Sequence, residues 1–167
     1  MSPRSQRLRA AVISGTVAAA VCIVGLAANA QTGAFAGMAG RWSGGGTVSL
    51  AGGPRERLSC RANYAVSGGG ASLQQTLRCA SESYRFELVS NLQDQGGQLT
   101  GSWSETSRNI QGTLSGRGQG GRLQVNANGP GFVANVSLNT QGDRQTVTVT
   151  TQGSEAAGAS ITLSRSK

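Results

Sequence analysis

From Arg41 onward, apolar and polar residues alternate with period two. Clusters of Gly, Asn, Asp and Ser interrupt the alternation about every ten residues, the spacing of a β-sandwich or barrel. No window holds an apolar stripe at period 3.6 for three turns, so no long amphipathic helix is expected. The pattern predicts strands over 41–50, 55–66, 72–80, 84–92, 97–105, 108–115, 121–128, 131–140, 144–151 and 158–165. Alternation then sorts the faces. Leu58, Cys60, Ala62, Tyr64 and Val66 share one face of the second strand, and Arg55, Arg57, Ser59, Arg61 and Asn63 take the other. Leu73, Gln75, Leu77 and Cys79 face inward in the third strand, and Tyr84, Phe86, Leu88 and Leu92 in the fourth. Short connections pair each strand with the next. The predicted fold is all-β, an antiparallel meander of 8–10 strands that closes into a barrel, because closure removes the exposed edges. Inward Gly and Ala positions suit close approach in a curved wall.

Two cysteines fix one register. With Ser67–Ser72 as the loop between the second and third strands, Cys60 falls opposite Cys79 on the inner face. A directly opposed, non-hydrogen-bonded pair has its Cα atoms about 4.5 Å apart, within reach of a disulfide. The same register sets Arg61 opposite Arg78 outside. A tight turn through Ser81–Ser83 would pair Cys79 with Tyr84 and place Arg85 opposite Arg78. Arg61, Arg78 and Arg85 would then form a row of opposed like charges, either a solvated face or an anion site.

The first 30 residues do not fit the β pattern. Arg4, Arg7 and Arg9 precede an apolar run from Ala10 to Leu26, and Ala28-Asn29-Ala30 is an A-x-A cleavage site. Residues 1–30 therefore read as a signal peptide, with the mature chain starting at Gln31. The competing reading is an uncleaved anchor, for which an Ala-rich run of this length is marginal. Val21 before Cys22 argues against a lipoprotein signal. Residues 31–40 carry no period and read as a flexible N-terminal arm, followed by the barrel domain over 41–167. Cleavage removes three of the 15 basic residues and none of the seven acids, leaving a net charge of +5. It also leaves an even pair of cysteines, the pattern of one disulfide in an oxidising compartment, periplasmic or extracellular.

Composition narrows the chemistry. The chain has no His, and its single Lys is Lys167. His ligands, His bases and His-dependent triads are excluded, and two thiols alone make a poor metal set. The acids are scattered, and alternation puts Glu87 outside and Glu105 inside, so no carboxylate pair flanks a cleft. Gly116–Arg122 has an RGG look but fits a hairpin loop, and no nucleic-acid partner, cofactor, metal or catalytic residue is expected. The inward set Trp42, Tyr64, Tyr84, Phe86, Trp103 and Glu105 suits either core packing or a small-molecule cavity with apolar walls and few polar groups.

Gly40-Arg41-Trp42 resembles the G-x-W start of lipocalin-like barrels. The run from Arg41 to Arg108, with CRANY at Cys60–Tyr64, LRCASESY at Leu77–Tyr84 and GSWSETSR at Gly101–Arg108, resembles a family of small uncharacterised exported proteins of alphaproteobacteria. The order Trp42, Cys60, Cys79, Trp103 is also similar to periplasmic inhibitors of secreted metalloproteases, small barrels with one disulfide. That second resemblance implies an arm, Gln31–Ala39, that enters the protease. The expected function is that of an exported, monomeric, non-catalytic binding protein. Its expected ligand is a small apolar molecule or an anionic envelope component, lipid or polysaccharide. The alternatives are a protease inhibitor acting through the arm and a structural module of the cell envelope.

Overall fold

In the computed structural model, which describes residues 33–167, the alternating segments form ten antiparallel strands closed into one barrel. They are β1 (Gly40–Leu50), β2 (Arg55–Ser67), β3 (Ser72–Ala80), β4 (Arg85–Gln95), β5 (Gln98–Glu105), β6 (Ile110–Gln119), β7 (Arg122–Gly129), β8 (Phe132–Gln141), β9 (Arg144–Gln152) and β10 (Ala156–Arg165). Each strand pairs with its neighbour in sequence, and β1 pairs with β10 to close the ring. The signal-peptide reading lies outside the described residues.

The strands are steeply staggered. One register row starts at Thr140 and Gln145, beside the β8–β9 turn. It continues through Leu163, Gly44, Cys60 and Cys79 and ends at Phe86, beside the β3–β4 turn at the opposite rim. Such stagger is what tilts strands and lets a sheet close. Close strand approach on the inner side needs glycine. A Cβ on Gly112 would sit 1.8 Å from the Asn128 carbonyl oxygen, and one on Gly101 would sit 2.0 Å from that of Asn91.

The cysteine register is the one read from the sequence. Cys60 faces Cys79 and Arg61 faces Arg78. The cysteines are joined by a disulfide with their Cα atoms 4.1 Å apart.

The β3–β4 register differs from expectation. Ala80 pairs with Arg85, Cys79 with Phe86, and Arg78 with Glu87. The turn tip lies one residue later than expected, at Glu82-Ser83. The Ser81 N–H donates to the Tyr84 carbonyl at 2.8 Å, and the Tyr84 N–H donates to Ser81 Oγ at 3.1 Å. Glu56, at the start of β2, holds that tip, accepting from the Ser83 N–H at 3.0 Å and from Ser83 Oγ at 2.5 Å. Hydrogen bonds from the Ser81 and Ser83 hydroxyls keep its carboxyl below the usual range. Moving a tip by one residue slips the register by two, so every side chain keeps its face. The RGG stretch is also shorter as a loop than expected. Gly116–Gln119 belong to β6, and only Gly120 and Gly121 turn. Their φ values of 56° and 81° fit a two-residue hairpin that L side chains resist.

Candidate functional site

The two ends of the barrel are finished differently. One end carries the β2–β3, β4–β5, β6–β7 and β8–β9 turns, and residues 33–39 fold into it. Ala34 and Phe35 are each 1% exposed and Met38 is 0% exposed. The segment read as a flexible arm is thus a plug. The Ala34 N–H donates to Asp94 Oδ2 at 2.8 Å, and the Gly120 and Gly121 N–H groups donate to the Gly33 and Ala34 carbonyls. Arg165 of β10 donates to the carbonyls of Gly37 and Ala39 and to Asp143. Its guanidinium lies 4.3 Å over the Trp42 ring, whose Nε1 donates to the Met38 carbonyl at 2.8 Å. The physical reason for the difference is the apolar surface of Phe35 and Met38, which a free arm would leave in water.

Trp42 and Tyr64, two members of the predicted cavity set, belong to this dry end. Tyr64 is 3% exposed and donates to Gln145 Oε1 at 2.7 Å, while Gln145 Nε2 donates to Thr140 Oγ1 at 3.0 Å. Burial pushes the Tyr64 phenol far up, and the Gln145 bond opposes this only partly.

Tyr84, Phe86, Trp103 and Glu105 lie toward the other end. Its loops, 51–54, 81–84, 106–109, 130–131 and 153–155, have two to four residues each, and among the described residues no terminal segment folds into it. Inward Phe86, Leu88, Ile110 and Phe132 remain half-buried here, whereas Leu99 and Leu163 near the plug are fully buried. Trp103 lies across Gly112 and donates Nε1 to the Asn128 carbonyl at 3.2 Å. Its ring meets that of Phe132 at 5.5 Å between centroids, tilted by 55°.

The six predicted residues therefore form two groups rather than one cavity lining, and Glu105 is no free acceptor. It is 3% exposed and receives the Glu87 N–H at 2.8 Å, Ser107 Oγ at 2.5 Å and the Arg108 N–H at 2.7 Å. Burial would raise its carboxyl, but these hydrogen bonds outweigh burial and hold it below the usual range. Glu105 is a staple for the β5–β6 turn. The arginine row is also incomplete. Arg61 opposes Arg78, but the third position is Glu87, 3.8 Å from Arg78, and Arg85 opposes Ala80.

Sequence reasoning missed Arg108, which leans over the open end. Its guanidinium is 4.8 Å from the Tyr84 ring centroid and donates to the Arg85 carbonyl at 2.8 Å. It also approaches Glu155, on the β9–β10 loop, at 3.6 Å. Burial raises the Tyr84 phenol, with Arg108 pulling the other way. Two hollows lie outside the barrel interior. One of about 410 Å³ is bordered by outward Val89, Asn91, Ser102, Gln111 and Thr113, and one of about 540 Å³ lies beside the plug at Asp94, Arg117 and Arg122.

No family model matches the sequence, and no curated protein matches it. Solved structures do. The S-type phycobiliprotein lyase of Guillardia theta superposes with a TM-score of 0.55 at 12% identity, over 78% of this chain and 89% of that one. A protein of unknown function from the DUF3598 family of Nostoc punctiforme superposes with a TM-score of 0.54 at 12% identity. The match covers 77% of this chain and 47% of that protein. At this identity the likeness establishes the fold, a lipocalin-like antiparallel barrel.

Proposed function

We propose that the protein is an exported, non-catalytic binder of a small apolar molecule, taken up through the open end of the barrel. One observation carries this reading. Trp42, Leu99 and Leu163 near the plug are dry, while Phe86, Leu88, Ile110 and Phe132 toward the other end keep surface in contact with solvent. Apolar surface held inside a rigid wall and left wet is what a ligand would cover. The Cys60–Cys79 disulfide supports an oxidising compartment. Burial of Phe35 and Met38 weighs against an arm that enters a protease.

The test is titration with dodecanol, followed by tryptophan fluorescence. Trp103 borders the open end and Trp42 does not, so the signal should survive Trp42→Phe and vanish in Trp103→Phe. Absence of binding by calorimetry would refute the reading. N-terminal sequencing of exported material should give Gln31.

A second reading rests on one flank of the outer wall. Arg55, Arg57, Arg61, Arg78 and Arg85 are all exposed on β2–β4, which suits contact with an anionic envelope component. Salt-sensitive binding to anionic vesicles would favour it.

A further inference from the structure

We infer that Arg108 anchors the carboxylate of an amphiphilic ligand whose apolar body lies among Tyr84, Phe86, Trp103 and Phe132. The inference rests on the apolar-binder reading and names the ligand class. Three observations converge on Arg108. Its guanidinium lies over the Tyr84 ring, beside half-buried Phe86 and Phe132 and buried Trp103. The nearby Arg55 and Arg85 lie on the outward face and are exposed, so they cannot serve the interior. Its position is fixed by the bond from Nη1 to the Arg85 carbonyl.

The two carboxylates beside it differ in kind. Glu105 is committed, with hydrogen bonds from Glu87, Ser107 and Arg108 filling its oxygens, and it stays 3.8 Å from Nη1. Glu155 is 3.6 Å from Nη2, and its side chain is 80% exposed. An exposed pair without a hydrogen bond contributes little in water. Glu155 therefore occupies Arg108 as a replaceable anion. A ligand carboxylate arriving with an apolar tail gains the planar, two-pronged recognition that arginine offers, in a site its own tail helps to dry. Displacing Glu155 also frees the contact that ties the β5–β6 and β9–β10 loops over the entrance.

The test compares laurate with dodecanol, which share a chain and differ in charge, by calorimetry on the mature protein. Laurate should bind roughly tenfold more tightly. Arg108→Gln should erase that preference while leaving dodecanol binding intact. Glu155→Gln, at an exposed loop position, should tighten laurate and leave dodecanol unchanged. Acetate, a charge without a tail, should not compete. Equal affinity for laurate and dodecanol in the wild type would overturn the inference while sparing the apolar-binder reading. A preference for laurate that survives Arg108→Gln would overturn it too and assign the charge to the outer arginines. If neither probe binds, both readings fail.

Discussion

At one end of the barrel Trp42 keeps 1% of its surface exposed, roofed by Arg165 and floored by the plug. At the other, Phe86 on β4 and Phe132 on β8 also face inward but remain half wet. The strands follow one pattern throughout. What differs is whether another part of the chain arrives to cover the inner face. A period-two sequence specifies a wall, and the fate of each opening is decided by segments without a period.

Truncation of matched aromatics breaks this comparison most sharply. Trp42→Ala should cost about 3–5 kcal/mol, the range for emptying a packed aromatic site. Phe86→Ala should cost less than about 2 kcal/mol, because the side chain forfeits only part of its burial. Denaturant midpoints on the two variants decide it, and equal losses would mean that the open end is dry core. The disulfide comes next. It sits in the register row that links the two rims, and the paired Cys60→Ser, Cys79→Ser variant should lose about 3 kcal/mol. A single cooperative transition should persist, whereas separate transitions would show that the ends unfold independently.

Glu105→Gln probes the open rim alone, with an expected cost of about 1–3 kcal/mol at neutral pH for stranding several donors. The sign follows from its depressed carboxyl. Its stabilisation is complete above the unfolded-state value, about 4.3, and disappears as pH falls through the lower folded value. The gap between wild type and variant should therefore narrow in acid urea titrations. The smallest effects belong to the outer wall. Arg61→Gln should be neutral or raise stability by a few tenths of a kcal/mol, by relieving its opposition to Arg78. Arg78→Gln should change it by less than about 0.5 kcal/mol, since its pair with Glu87 is exposed.

Much of the fold was legible because the signals are local. Alternation marked the strands, and the Cys60–Cys79 pairing followed from one loop and one face. The β3–β4 slip was not legible, because Glu56, 27 residues away, pins the turn tip. The plug escaped notice for the same reason. Nothing within residues 31–40 announces partners at Asp94, Gly121 and Arg165, which only closure brings near. Of the candidate site, the aromatics were visible as inward residues, but their division between the ends depends on the stagger. Arg108 carried no periodic signal, and its place over the mouth comes from a turn stapled by Glu105.

The pairing of β1 with β10 also governs when the molecule can exist. A chain emerging from its N-terminus has β1 through β9 in hand and still exposes two raw sheet edges, with Phe35, Met38 and Trp42 lacking their roof. Arg165 arrives with the last strand, and only then do the seam and the plug latch together. Assembly is therefore late and all-or-none, governed by the most distant contacts in the sequence, which makes it slow. Until that last strand docks, the chain keeps its sheet edges unpaired and open to pairing with another chain.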